Sequence, residues 1–205
     1  MFNLPKGTEI KPPKIIYKKL IYEKFKDQLT GKKKENFDED ISRVTLTHEL
    51  SERSLHLPKT KEVPAIFVAR IDLKTRDYGD ENIILLSKLF GQKMLLVLAF
   101  DGEYKPALYE EKLLAGEWQG EEDINIELRG LDLKSLWENL ARAIGDIAIE
   151  EGKTLQEQIQ REEEKEKLKK QIRSLEKRAQ REKQSKKKLE LFREIKKYKR
   201  ELEEM

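Results

Sequence analysis

Asp72-Leu73-Lys74 carries the strongest chemical content in this chain. Residues two apart on a strand point to one face, so an acid and a lysine at this spacing can share a site. The carboxylate can then hold Mg²⁺ while the ammonium stands beside an attacking water. Such a centre needs a further carboxylate on a neighbouring strand, and Glu49 is the candidate the pattern offers. In a chain with 40 Asp+Glu and 43 Lys+Arg, tripeptides of this kind also arise by chance, and a solvated strand end is the plainer reading of Asp72 and Lys74. His48 and His56 titrate near neutrality and could in principle move a proton. His48 alternates with apolar positions and His56 lies in a polar stretch, neither in a G-x-S-x-G setting, so both read as structural. Neither G-x-x-x-x-G-K-[ST] nor G-x-G-x-x-G occurs, so these nucleotide-phosphate cradles are not expected. With no cysteine among 205 residues, disulfides, thiolate zinc sites and iron–sulfur ligation are excluded. No metal and no cofactor is expected.

The other chemistry is that of charge. Residues 1–34 carry net +7, residues 35–152 net −11 and residues 153–205 net +7, so the overall +3 conceals an acidic body between two basic ends. From Lys183 to Arg200 there are nine basic and two acidic residues. Affinity for a polyanion grows with the phosphates that Lys and Arg neutralise. Lys11, Lys14, Lys18 and Lys19 at one end, and Lys183, Lys186, Lys187, Lys188, Arg193, Lys196 and Lys197 at the other, are therefore the candidates for contacting DNA, RNA or an acidic partner. The plainer alternative is a solvated, thermophile-like Lys/Glu surface.

The elements that position these residues can be read from periodicity. Pro5, Gly7 and Pro12-Pro13 keep the first dozen residues out of a helix, as an extended arm. The three- and four-residue spacing of Ile16, Tyr17, Leu20, Ile21, Phe25 and Leu29 predicts a helix over 14–29. Alternation at Val44, Leu46, His48 and Leu50 predicts a strand over 42–50, and the two-sided apolar run 63–73 a central strand. A helix follows over 81–90. Next come a hairpin turning at Asp101-Gly102, a last strand at Ile124, Ile126 and Leu128, and a helix over 131–149. Trp118 reads as a plug folded back from a loop, and Trp137 as core. The longest apolar run, Met94 to Phe100, is far short of the ~20 residues a membrane span needs, so a cytoplasmic protein with no membrane contact is expected.

Beyond Gly152 there is neither Gly nor Pro and little apolar material. Leu168, Ile172, Leu175 and Ala179 step by four, three and four, as do Leu191, Ile195, Tyr198 and Leu202, which is a coiled-coil seam. Either one long helix crosses the polar stretch between them or the chain turns there into an antiparallel hairpin. The expected fold is α+β: a body over 1–152 with a mixed, mainly antiparallel sheet of about five strands and packed helices, then a charged coiled-coil tail over 153–205.

Several phrases carry a resemblance over nearly the whole chain. They are Phe2-Asn3-Leu4-Pro5-Lys6 with Thr8-Glu9, the lysine-proline element Lys11-Pro12-Pro13, Gly130-Leu131-Asp132-Leu133 with Trp137-Glu138-Asn139-Leu140, and the ending from Glu182-Lys183-Gln184 to Leu202. Together they resemble an uncharacterised bacterial family catalogued as domain of unknown function four-three-nine-one. The chain departs from it at Thr45 to Leu50, where the family tends to carry a Trp and a Lys-Leu-Ser-Pro phrase. The resemblance implies a setting beside helicase and DNA methyltransferase genes in restriction-like or phage-defence loci, and transfers no catalytic residue. The leading expectation is a non-enzymatic accessory subunit that binds a helicase or methyltransferase, its basic ends touching nucleic acid. The rivals are a Mg²⁺-dependent nuclease of the restriction-endonuclease fold using Asp72 and Lys74, and a simple homodimer through the tail.

Overall fold

The structure, a computed structural model, describes residues 2–147 and 154–204. The chain forms two compact units, Met1–Ala148 and Ile149–Met205. The expected boundary at Gly152 falls outside the described residues.

In the first unit, β1 (Glu9–Ile16) leads to α1 (Lys18–Lys24) and α2 (Lys32–Asp40). There follow β2 (Ile41–Ser51), α3 (Glu52–Leu55), β3 (Ala65–Leu73), α4 (Asp80–Ser87), β4 (Lys93–Phe100), β5 (Glu103–Glu110), β6 (Lys112–Ala115), β7 (Gln119–Gly120) and α5 (Leu133–Gly145). One mixed sheet runs β1-β2-β3-β4-β5-β6, with β7 also on β5. Every pairing is antiparallel except β3 with β4, which the crossover through α4 makes parallel.

The α+β class and the mainly antiparallel sheet agree with the sequence reading, but the sheet has seven strands, not about five. The added strands come from segments whose patterns are weak. Glu9–Ile16 contains Pro12-Pro13, yet it forms the edge strand, where missing N–H groups are tolerated. It is no free arm: ahead of it Phe2 and Leu4 are buried, with the Phe2 ring edge-on to Tyr104. Ile15 and Ile16 therefore belong to β1, and the helix expected from Lys14 starts only at Lys18. The alternating Ile124, Ile126 and Leu128 make no strand. Ile124 and Ile126 are buried without ladder pairing.

One sheet face carries Val44, Leu46, Ala69, Ile71, Leu96 and Leu98 against Ile21 and Phe25, Phe37 of α2 and Ile83 and Leu86 of α4. Buried Asp40 accepts hydrogen bonds from the Gly79 N–H (2.8 Å) and Asn82 Nδ2 (2.7 Å), so the end of α2 holds the start of α4. Part of the other face is covered by α5, which lies against β3, β5 and β6. Leu133, Leu136, Trp137, Leu140 and Ala141 recur at helical spacing and are buried. Asp132 caps α5 through the Ser135 N–H at 2.7 Å. Gly130 is required just before it, because a Cβ there would stand 2.5 Å from the Leu136 nitrogen. The β4–β5 hairpin turns at Asp101-Gly102, both with positive φ (48° and 80°), the turn that Asp-Gly favours.

The second unit is a pair of helices, α6 (Leu155–Arg181) and α7 (Ser185–Glu204). The helix breaks inside the stretch that has no apolar residue, and Glu182 turns extended and accepts from the Gln184 N–H. Doubling back lets Ile172, Leu175, Ala179 and Ile195 bury one another, with Leu191, Tyr198 and Leu202 packed alongside. Lys199 pairs with Glu176 across the two helices at 2.8 Å. Leu168 is half-buried and outside that cluster. Polar helices in proteins gain most of their stability from such packing, which is why the chain turns here without Gly or Pro.

Candidate functional site

The α5 layer covers only part of its sheet face. At the other end a cleft of about 550 Å³ opens among β1, β2 and β3. Its origin is local. Glu9 pairs with His48 and Lys14 with Leu46, so five steps on β1 face two on β2. Pro12 and Pro13 lack the N–H groups that would continue the ladder, and β1 bows away. A bulge between Leu46 and His48 on the β2–β3 side brings Thr47 and His48 together opposite Val68, and both line the cleft. Bulges re-aim side chains in this way.

The cleft is polar on two sides. Arg70 Nε donates to Asp72 Oδ1 at 2.7 Å, and its guanidinium lies 5.4 Å from the Tyr104 ring centroid. Burial works against that charge, but the bond to Asp72 keeps the Arg70 pKa above its ordinary value. Lys11 pairs with Glu9 at 2.7 Å, and this hydrogen bond holds the Glu9 carboxyl below the usual range. Arg43 is exposed and forms no ion pair among the described residues. Thr47 Oγ1 donates to the Val68 carbonyl at 3.2 Å and lies 3.0 Å from His48 Nδ1. Because the hydroxyl has only one proton, Nδ1–H donates to Thr47, and in the neutral ring, which burial favours, Nε2 is left as an acceptor. His48 is 3% exposed, and burial pushes its pKa down. The expected alternation of His48 with Val44 and Leu46 fails at the bulge, which turns His48 to the cleft face while Val44 and Leu46 stay in the core on the other face.

The carboxylate–lysine pair does not converge. Asp72 lies in the cleft, paired to Arg70, whereas β3 ends at Leu73 and the Lys74 ammonium donates to the Asp38 carbonyl at 2.6 Å. Glu49 is exposed and opposite Phe67, whereas Asp72 is opposite Arg43. Phe67 and Asp72 are five residues apart on β3, and thus on opposite faces. No group of three or more His, Asp or Glu side chains suited to a metal ion gathers among the described residues. The cleft residues Arg43, Thr45 and Arg70 escaped sequence reading because they are ordinary polar positions of two strands. The available signal was the Pro12-Pro13 pair inside a strand.

The candidate cations differ between the two ends. Lys18 bonds Asp38 at 2.7 Å, and Tyr22 donates to the same carboxylate. Burial opposes the Asp38 charge, but these two bonds outweigh it and lower its pKa. Lys19 stands 4.0 Å from Glu23, and Lys14 is exposed on β1. On α7, Lys186, Lys187, Arg193, Lys196 and Lys197 are exposed and Lys188 is half-buried, while Lys183 is exposed in the preceding turn. Lys197 faces Glu201 at 3.7 Å. Among these cations Leu189 and Phe192 are themselves 53% and 52% exposed. A hollow of about 380 Å³ there is lined by Phe192, Ile195, Lys196, Lys199, Arg200 and Glu203. Trp118 is half-buried against the main core with Arg76 and Lys105 over its ring, the plug its loop suggested.

A seven-stranded α+β unit with a polar cleft, followed by a basic two-helix unit, is the class these observations define. The chain belongs to the family described as Domain of unknown function (DUF4391), which it matches over residues 2–202. No curated protein and no solved structure matches it. No described helix is long and apolar enough to cross a membrane.

Proposed function

We propose that this protein is a non-enzymatic accessory subunit of a bacterial restriction-like or phage-defence system. Its two-helix unit, a short antiparallel coiled coil, docks a helicase or DNA methyltransferase in the cytoplasm, and its basic residues touch nucleic acid. The observation that carries the reading is the outer face of α7, where exposed Leu189 and Phe192 stand among cations. Apolar anchors ringed by charge are what a protein interface offers. The N-terminal lysines support it less, since Lys11, Lys18 and Lys19 already face carboxylates. A homodimer through the seam would have to reopen the hairpin that already covers it.

Substituting Leu189→Asp together with Phe192→Asp leaves the seam untouched. In pull-downs from the native host, the double variant is expected to lose the helicase or methyltransferase that the wild type retains. Unchanged recovery sinks the docking claim. Cleavage of labelled DNA with Mg²⁺ that disappears in Asp72→Ala overturns the non-enzymatic part.

A further inference from the structure

We propose that the cleft beside β1 binds the terminal phosphate of a nucleotide, with Arg43 gripping the phosphate and His48 Nε2 accepting a hydrogen bond from the ligand's body. The site lies within residues 2–147 and does not rest on docking through α7.

The cleft is built rather than incidental. Two prolines interrupt the β1 ladder and a bulge deepens the facing strand. Its volume of about 550 Å³ lies within the range of roughly 300–1,000 Å³ that small-molecule sites occupy. A bare inorganic ion would leave most of it empty, and the side chains of Ile10 and Pro13 supply an apolar wall for a sugar and base.

The charges decide which group of the ligand goes where. Arg70 and Lys11 are each tied to a carboxylate at 2.7 Å. They offset Asp72 and Glu9 and leave Arg43 as the cation without an ion-pair partner among the described residues. A guanidinium fork matches phosphate oxygens two at a time. Thr45, on the same strand and also lining the cleft, adds a hydroxyl donor. A phosphate monoester has three terminal oxygens that can take both donors, one more than a carboxylate offers. The far end needs a hydrogen-bond donor, because in the neutral ring the tautomer set by Thr47 leaves His48 Nε2 as an acceptor. Hydroxyl and amino groups of a nucleoside meet that requirement.

Such a phosphate can belong to a free mononucleotide or to the 5′ end of a strand, and titration calorimetry of the full chain separates these. The probes are the four nucleoside 5′-monophosphates, adenosine, inorganic phosphate, and one short single strand with either a 5′-phosphate or a 5′-hydroxyl. We expect saturable binding of a monophosphate or of the 5′-phosphorylated strand. Adenosine, phosphate alone and the 5′-hydroxyl strand should bind at least tenfold more weakly. Saturation by the mononucleotide identifies a free nucleotide as the source, and saturation by the strand alone a nucleic-acid end. Arg43→Gln, at an exposed position that should still fold, is expected to weaken binding tenfold or more. His48→Phe should weaken the nucleotide but not inorganic phosphate. No binding of any phosphorylated probe at millimolar concentration, or equal affinity in Arg43→Gln, overturns the proposal.

Discussion

At the residue scale, His48 joins stability to pH. Burial lowers its pKa, so the folded protein resists taking up a proton that the unfolded chain accepts near its ordinary value of about 6.5. The unfolded state then binds more protons, and stability falls as pH drops below about 6.5, until the folded-state value is passed. The Glu9 and Asp38 carboxyls, both held below their usual range, titrate only in stronger acid. Urea midpoints measured at pH 7.5 and 5.5 should therefore differ for the wild type, and the gap should narrow in His48→Gln. An equal gap in both would show that His48 is not the group responsible. Of these details the sequence announced only that His48 lies in a strand, and the bulge after Leu46 decided which face it takes. Its tautomer depends on Thr47 and on the Val68 carbonyl of another strand.

At the element scale, α5 is held by more than its apolar stripe. The Trp137 indole donates to Glu110 Oε2 at 2.6 Å and Lys93 pairs with the same oxygen at 2.5 Å, while Glu110 is 7% exposed. Three elements, β4, β5 and α5, thus meet at one carboxylate. Removing one member of a buried pair leaves the other charge uncompensated, at about 3–5 kcal/mol. Because the Lys93 side chain remains 30% exposed, the lower end, about 3 kcal/mol, is expected for Glu110→Ala in equilibrium urea unfolding. A loss under about 1 kcal/mol would mean that water replaces the carboxylate. Helical spacing foretold α5 and placed Trp137 in the core. It could not foretell Glu110, which looks like any acid at the end of a strand.

At the scale of the whole molecule, charge is segregated: net −11 over residues 35–152 and net +7 over residues 153–205. A polyanion bound through α7 releases counterions in proportion to the phosphates contacted, so log K should fall linearly with log salt, by about 0.9 per contact on duplex DNA. Lys186→Gln, Lys187→Gln and Lys188→Gln combined should make that slope shallower by up to about 3. Fluorescence anisotropy over a salt series reads it directly. A slope unchanged by the triple variant would remove these lysines from the nucleic-acid surface.

The sequence by itself determined what depends on near neighbours. Alternation marked β2, a two-sided apolar run marked β3, Asp101-Gly102 marked the hairpin, helical spacing marked α5, and the two apolar seams marked the tail helices. The periodic signals follow from backbone geometry repeating every 2 or 3.6 residues, and the Asp-Gly signal from the positive φ its turn demands. Tertiary structure decided what depends on partners distant in the chain. It turned the lysine-proline segment into an edge strand, sent the Lys74 ammonium to Asp38 while Asp72 kept Arg70, and folded the tail so that each seam covers the other. It also assembled a cleft from three strands, none of which reads as a site, because a binding surface belongs to the residues that pairing and bulges bring together.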